Sequence, residues 1–323
     1  MTALPPGPAL TVALLNSDAF ATIARTVAHV AAQDEAPTIE LLILASHPDA
    51  MIPDPDAVNR FHSVRVIPVD LRLGSGPARA TAVREAGAPI IAFGEDHCFP
   101  EAGWARALLD AHRGPWAAVG PVVFNANPAT VVSWADFLLG YGPWLAPGQS
   151  GERDHLPGHN TSYKRDALLP FGDDLAVLIE AETPLQWRLR EQGARLYQEA
   201  SARVAHTNFD RWGTWLHVIF HAGRVFAATR AQLWSPWRRV AFAVAAPLVP
   251  LVRLRRHLGQ AMAAGWEPSL TARVTPVLVI GLIVDAAGQC VGCLAGAGRS
   301  RAALVDWEFR RNEPRERHAG ANA

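Results

Sequence analysis

The chain has few cysteines: three among 323 residues, Cys98, Cys290 and Cys293. Three cysteines cannot form the disulfide framework of a secreted domain in a chain of this size, which indicates a reducing compartment. Cys290 and Cys293 have the C-x-x-C spacing, but the sequence has no second pair to complete a zinc site. Because they lie inside an apolar stretch, we expect small residues that pack between helices.

Signals for secretion and for membrane spanning are also missing. The N-terminus, MTALPPGPALTVALL, has no basic residue and carries prolines before its apolar run, so a secretory signal peptide is not expected. Residues 234–258 form an apolar run that two prolines break, and residues 274–298 form a second one that Asp285 and Gln289 interrupt. Neither run offers the roughly 20 uninterrupted apolar residues of a clean span.

Net charge is absent overall, with 30 basic and 30 acidic residues, but its distribution is uneven. Residues 1–202 contain 23 acidic and 14 basic residues, whereas residues 203–257 contain nine arginines and one acid. The basic segment predicts an anionic partner, either nucleic acid or a phospholipid surface. Arg and Trp flanks favour an interfacial or re-entrant segment on an anionic membrane, and nucleic acid is not expected. A buried helical hairpin that packs on the preceding domain is the alternative.

Apolar strands alternate with amphipathic helices in the first part of the chain. The predicted strands are residues 9–17, 39–46, 64–70, 89–97, 116–124 and 194–209, and the predicted helices are residues 18–33, 76–87, 103–112 and 183–193. This alternation predicts an α/β fold with a mostly parallel sheet flanked by helices. Ligands bind such sheets beyond the carboxyl ends of the strands.

Three ionisable residues, Glu95, Asp96 and His97, end the strand of residues 89–97. In an extended chain residues i and i+2 project to the same side, so Glu95 and His97 can face one point while Asp96 faces another. A carboxylate and an imidazole form a partial shell for a divalent metal ion, and His206, at another strand exit, could complete it. An ordinary strand exit with solvated charges is the alternative.

A second acidic pair, Glu180 and Glu182, precedes the amphipathic helix that opens near Pro184. Carboxylates at a helix N-terminus are often caps or partners of the helix dipole. A role as a cap or dipole partner is sufficient to explain one of the two carboxylates. Because two carboxylates lie within three residues, one of them could also serve as a general base.

Taken in order, these segments resemble family 2 glycosyltransferases with the GT-A nucleotide-sugar fold. The resemblance covers residues 9–230 and rests on five segments: ARATAVREAG, IIAFGEDHCFPEAGWARAL, GHNTSYKRDAL, EAETPLQWRLREQG and RVAHTNF. It implies a GT-A Rossmann-like, mostly parallel sheet flanked by helices. It also implies an inverting, metal-dependent transfer of a sugar from a nucleotide-diphosphate sugar to a hydroxyl acceptor.

The resemblance assigns roles to individual residues. It implies Glu182 as general base with Glu180 as the fallback. The implied metal ligands are His97, His206 and Glu95, and the implied donor-binding residues are Asn16, Ser46, Arg79, Glu95, Asp96, His159 and Asn160. Imidazole ligands favour Mn²⁺ over Mg²⁺.

The chain departs from the family in three places, one of which is the usual Glu-Asp pair before the helix, replaced here by Ala181-Glu182. The segment LILASHPD lacks the acidic turn that recognises the nucleobase of the donor. The Q-x-x-R-W motif of processive synthases is also absent, which favours the addition of a single sugar. A non-catalytic GT-A-like binding subunit and a 2-His-1-carboxylate iron oxygenase are the alternatives.

The chain is expected to have three parts. Residues 1–232 form the transferase domain, residues 233–300 form apolar, Arg-flanked, membrane-associated helices, and residues 301–323 form a polar, disordered tail. A sugar or lipid-linked acceptor is expected, at the cytoplasmic face of the membrane or otherwise in the cytoplasm.

Overall fold

The computed structural model describes residues 7–53, 55–180, 182–232 and 234–308. Within these residues nine strands form one sheet: β1 (Leu10–Asn16), β2 (Ile39–Ala45), β3 (Ser63–Pro68), β4 (Ile90–Gly94), β5 (Cys98–Pro100), β6 (Trp116–Asn125), β7 (Gly151–Arg153), β8 (Ser162–Lys164) and β9 (Arg195–His206).

The same residues contain thirteen α-helices. They are α1 (Phe20–Ala31), α2 (Pro55–Val58), α3 (Ser75–Glu85), α4 (Trp104–Ala111), α5 (Val131–Tyr141), α6 (Arg165–Leu168), α7 (Asp174–Leu178), α8 (Thr183–Glu191), α9 (Trp212–Arg230), α10 (Pro236–Ala245), α11 (Val249–Ala263), α12 (Pro268–Ala295) and α13 (Ser300–Glu308).

The sheet has the strand order β3-β2-β1-β4-β8-β6-β9-β5, and β7 pairs with β9. Strands β1 to β4 run parallel to one another, as do β6 and β9, while β8 lies antiparallel between β4 and β6. All seven residues of β1 and of β2 are buried, because helices cover both faces of the sheet. The predicted α/β class with a mostly parallel, helix-flanked sheet is confirmed.

The chain turns sharply after β4, and this turn places the ionisable residues. The Cys98 amide donates to the Glu95 carbonyl oxygen at 3.4 Å, so Glu95 to Cys98 form a turn and not an extended strand. Strand β5 then pairs antiparallel with β9, with Cys98 opposite His206. The i, i+2 alternation expected for Glu95 and His97 is therefore wrong, because the strand ends at Gly94. The turn nevertheless brings both side chains to one point.

The C-terminal helices pack against the sheet domain. Helix α12 lies along α9, where added Cβ atoms on Gly288 and Gly292 would fall 2.1 Å from the Phe220 carbonyl oxygen and 2.3 Å from the Arg224 carbonyl oxygen. Helix α12 is long and apolar enough to cross a membrane, and just over half of its most apolar window is buried by the rest of the protein. Cys293 is buried in a small apolar cluster, which agrees with the packing role expected for it.

The structure differs from the predicted tail. Helix α13 occupies Ser300–Glu308, where disorder was expected from residue 301, because Leu304 and Trp307 pack against the hydrophobic core. Residues 309–323 of the predicted tail lie outside the described residues.

Candidate active site

Glu95, His97 and His206 form a compact, buried cluster. One ligand atom from each residue lies within 4.8 Å of those of the other two. Glu95 Oε2 lies 3.5 Å from His97 Nε2 and 3.5 Å from His206 Nε2, and the two imidazole rings meet edge to face. The turn after β4 supplies Glu95 and His97, while the end of β9 supplies His206. The structure therefore brings together the three residues that were expected to bind a metal ion.

Each imidazole is held by its other nitrogen. His97 Nδ1 hydrogen-bonds to the Asp96 carboxylate, and His206 Nδ1 lies 2.9 Å from Asn208 Oδ1. Both Nε2 atoms are thereby directed toward Glu95. A carboxylate or amide on the far ring nitrogen is the usual support of a metal-binding histidine, so the donor set fits a divalent ion. Asp96 supports His97, and Asn208, which the sequence analysis missed, follows His206 by two residues.

The charges of the cluster favour an ionised Glu95. Burial raises the pKa of Glu95, but the imidazoles of His159 and His97 outweigh it and hold that pKa well below its usual range. Burial likewise lowers the pKa of His159, yet the carboxylates of Glu95 and Glu182 outweigh it and raise that pKa. The cluster thus concentrates negative charge on one carboxylate that imidazoles surround.

Glu182 forms a buried ion pair with Arg79 of α3; their side chains are 7% and 8% exposed. Arg79 also donates to the Ile179 carbonyl oxygen at 3.3 Å, which holds its guanidinium against the loop before α8. Glu182 caps α8 with a φ of 33°, in the left-handed region that a glutamate adopts only at a cost. Gly158 allows this close approach, because an added Cβ would lie 2.6 Å from Glu182 Oε2.

His159 and Asn160 connect these two centres. His159 Nδ1 lies 2.8 Å from Glu95 Oε1 and 3.7 Å from Glu182 Oε1. Asn160, at a φ of 64°, donates from its side-chain amide to Glu95 Oε2 at 3.2 Å. The loop before β8 therefore links the candidate metal cluster to the buried carboxylate.

A match to a family model supports this arrangement. Residues 11–169 match the family described as Glycosyl transferase family 2. This stretch, just under half of the chain, is similar to family 2 glycosyltransferases. It contains Arg79, the Glu95 turn and the His159 loop, while Glu182 and His206 follow it in the chain.

Solved glycosyltransferase structures also align with this chain. GalNAc-T7 with UDP, GalNAc and Mn²⁺ aligns at 13% identity and a TM-score of 0.45, over 62% of this chain and 43% of that chain. The mannosyltransferase PcManGT from Pyrobaculum calidifontis with GDP-Man and Mn²⁺ aligns at 16% identity and a TM-score of 0.44, over 95% of this chain and 77% of that chain. S. aureus TarS 1-349 aligns at 14% identity and a TM-score of 0.45, over 88% of this chain and 90% of that chain. The chain spans less than half of the first structure. A comparison with curated proteins found no match.

Two of the predicted donor-binding residues lie apart from the cluster. Asn16 is the last residue of β1 and Ser46 directly follows β2, so both lie at the carboxyl ends of neighbouring strands. The Asn16 amide donates to the Ala19 carbonyl oxygen at 2.9 Å, and the Ser46 hydroxyl accepts from the Leu71 amide at 3.4 Å. Neither lines the cavity that contains the cluster. Their role in donor binding stays a prediction.

Glu180 lines the same cavity as Glu182 but has different hydrogen-bond partners. Glu180 Oε2 accepts from the Gly76 amide at 2.6 Å, in the first turn of α3. Burial raises the pKa of Glu180, against the Gly76 hydrogen bond that lowers it. A carboxylate at this position stabilises the N-terminus of a helix, so Glu180 has a structural partner of its own.

The cavity itself measures about 440 Å³ and extends from the cluster toward the C-terminal helices. Apolar side chains of α9, among them Ile219 and Phe226, also line the cavity, as do Tyr141 and Trp144. Two positive side chains, Arg253 of α11 and Arg301 of α13, also line it. The cavity therefore combines the polar cluster with apolar side chains of α9 that no motif in the sequence indicated.

Proposed function

We propose that the protein is an inverting, metal-dependent glycosyltransferase that moves one sugar from a nucleotide-diphosphate sugar to a hydroxyl acceptor. One observation carries the proposal: the cluster of Glu95, His97 and His206 shares a cavity with the buried carboxylate of Glu182, in a chain whose residues 11–169 match glycosyltransferase family 2. His159 contacts both, at 2.8 Å from Glu95 and 3.7 Å from Glu182. Metal binding and proton transfer can therefore serve the same bound molecule.

His97, His206 and Glu95 would hold the divalent ion. When bound, such an ion supplies positive charge that neutralises the diphosphate of the leaving group. Two imidazoles and one carboxylate suit Mn²⁺ better than Mg²⁺, which prefers oxygen ligands. Asp96 and Asn208 would keep the two rings oriented toward it, as their contacts with the Nδ1 atoms indicate.

Glu182 would act as the general base. Its carboxylate takes the proton of the acceptor hydroxyl while that oxygen forms its bond to the sugar C1. The bond between C1 and the diphosphate oxygen breaks with its electron pair, and the nucleoside diphosphate leaves; a single displacement of this kind inverts C1. Arg79 would hold the carboxylate in place. Glu180 is the fallback base.

The acceptor would bind in the part of the cavity that α9 lines. Its apolar α9 wall suits a sugar carried on an apolar group as well as a plain sugar, so the proposal includes a sugar or lipid-linked acceptor. The protein would lie at the cytoplasmic face of the membrane, with its C-terminal helices peripheral or re-entrant, or otherwise in the cytoplasm.

Release of nucleoside diphosphate tests the proposal. Purified protein would be incubated with a panel of nucleotide sugars, with Mn²⁺ or a chelator, and with membrane extract as the source of acceptor. We expect release with one donor, dependence on the metal ion, and loss of release in Glu182→Gln. If no donor gives release of nucleoside diphosphate, the proposal is wrong and a non-catalytic binding subunit is favoured. Iron-dependent oxygen consumption would instead support the oxygenase, because two histidines and one carboxylate also suit ferrous iron.

A further inference from the structure

Helices α10 and α11, with the short turn between them, carry an apolar face that points to solvent. Trp237 is 83% exposed, Val244 is 76% exposed and Val252 is 71% exposed. We call this set the outer face, and its members are Trp237, Val240, Val244, Leu248, Leu251 and Val252. Single exposed apolar residues are normal on a protein surface, but a contiguous row of large ones indicates an interaction site.

The outer face follows one side of the helices. Its residues recur at intervals of three, four, four, three and one, which places them along one stripe of a continuous helical path. The opposite side is already packed: His257 and Ala261 of α11 are buried, and α10 and α11 both contact α12. A surface helix ordinarily turns its apolar side inward. Here apolar residues occupy both sides.

Positive charge surrounds this face. From residue 211 to residue 266 the chain contains eight arginines and no acid. Arg238, Arg255 and Arg256 are exposed, and in the part of the chain that the structure describes none of them forms an ion pair with a carboxylate. Arg253 is different, because it turns inward and pairs with Asp285 of α12. The exposed arginines thus leave their charge at the edge of the outer face.

We propose that the outer face docks in the plane of an anionic phospholipid membrane. Exposed Trp and branched apolar side chains bordered by arginines match the boundary between acyl chains and anionic headgroups. A nucleic acid would use the charge but not the apolar row, and a second copy of the chain would meet like charges at its edge. The proposal specifies the membrane contact suggested above and does not depend on the transfer reaction.

Helix α12 then belongs to the protein core and does not cross the bilayer. Its polar residues Asp285 and Gln289 are buried and bonded to each other at 2.7 Å, and Asp285 also binds Arg253. Its glycines Gly288 and Gly292 pack directly on the backbone of α9. A spanning α12 would have to break this packing.

Co-sedimentation with lipid vesicles tests the docking surface. The full chain would be mixed with vesicles of phosphatidylcholine, with or without phosphatidylglycerol. We expect binding to the anionic vesicles, and a loss on the order of tenfold or more in Val244→Ser/Leu251→Ser, because these side chains would leave the acyl region. The matched control is Ile52→Ser/Leu73→Ser, which removes two apolar residues that are 79% and 64% exposed elsewhere. The control should bind as the unmodified chain does.

The arginines and the topology have separate tests. Arg255→Gln should weaken binding to anionic vesicles about fivefold, since each arginine near such a surface contributes about 1 kcal/mol, while Arg113→Gln should not. In a Cys290→Ala background, cysteines placed at Ser269 and Ala295, both exposed at the two ends of α12, should both react with an impermeant maleimide added outside the vesicles. Reaction at only one end would overturn the in-plane arrangement.

Other outcomes would overturn the docking proposal. These are no binding to anionic vesicles, equal binding by the Val244→Ser/Leu251→Ser variant, and a dimer that this variant dissociates, which would assign the face to a second copy. Far-ultraviolet circular dichroism of each variant confirms that it is folded. Nucleoside diphosphate release with a soluble acceptor is measured in parallel, so that a failed transferase assay and a failed vesicle assay remain distinguishable.

Discussion

The ion pair between Arg79 and Glu182 allows the catalytic role of Glu182 to be separated from its structural role. Both side chains are more than nine-tenths buried, and Arg79 also binds the Ile179 carbonyl oxygen. A substitution of either residue alone therefore leaves a buried group without its counter-charge. Three variants are needed: Glu182→Gln, Arg79→Gln and the double variant.

The structural and the catalytic role of Glu182 predict different losses of unfolding free energy and of turnover. Removing one member of a buried ion pair costs about 3–5 kcal/mol of unfolding free energy, because the remaining charge is uncompensated. Removing both charges costs much less, since replacement of a whole buried pair is often nearly neutral. A positioned general base contributes about 10²–10⁴-fold to the rate. We therefore expect Glu182→Gln to lose both stability and turnover.

The double variant decides between the roles. Unfolding in urea at pH 7 should show that Arg79→Gln/Glu182→Gln regains most of the stability that Glu182→Gln loses. Nucleoside diphosphate release should stay at least about 10²-fold below that of the unmodified enzyme, because no carboxylate is restored. Titration with a nucleoside diphosphate and Mn²⁺ checks that each variant still binds the donor product. Turnover that recovers together with stability would refute a catalytic role for Glu182 and leave it as the partner of Arg79.

Further predictions concern single residues. His97→Ala should lose Mn²⁺-dependent nucleoside diphosphate binding in calorimetry, and unchanged binding would remove His97 from the metal shell. Asn208→Ala should weaken Mn²⁺ binding about 10–100-fold without abolishing it, because it orients His206. Glu180→Gln should keep turnover, and a loss as large as that of Glu182→Gln would reassign the base. Burial, and then Lys164, lower the pKa of His112 to about 3, so the unfolded chain alone binds that proton below about pH 6.5 and stability falls with pH. His112→Gln should therefore remove about 2 kcal/mol of the stability lost between pH 7 and pH 5 in urea unfolding, and an unchanged pH dependence would contradict this assignment.

Local patterns in the sequence were sufficient for most elements of the transferase domain. The predicted helix of residues 18–33 corresponds to α1, and the apolar stretch of residues 39–46 corresponds to β2. Helical or alternating spacing and terminal Gly or Pro are short-range signals, so they survive without knowledge of the fold. Strand β8 has three residues and its antiparallel position between β4 and β6 has no such signal.

The site depended on pairing between distant residues. Glu95 and His206 meet because β5 pairs with β9, and Arg79 and Glu182 meet across 103 positions of the chain. Resemblance to a family indicated most of these residues individually, yet it assigned Arg79 to the donor. In the structure Arg79 contacts Glu182, Ile179 and His159. Contacts of this kind follow from topology and leave no local pattern.

The C-terminal helices show why composition alone could not decide between a span and a core helix. In the sequence, Asp285 and Gln289 interrupt an apolar run. Their presence argues against a membrane-spanning helix, but the sequence does not show which residues would bind them. In the structure both are buried, and Arg253 supplies the partner from α11. Helix α11 consequently turns one arginine inward to the cavity and two outward beside the outer face. Because Arg253 of α11 lines the cavity, docking of the outer face on a membrane would bring the cavity close to the bilayer surface, where a lipid-linked acceptor would be held.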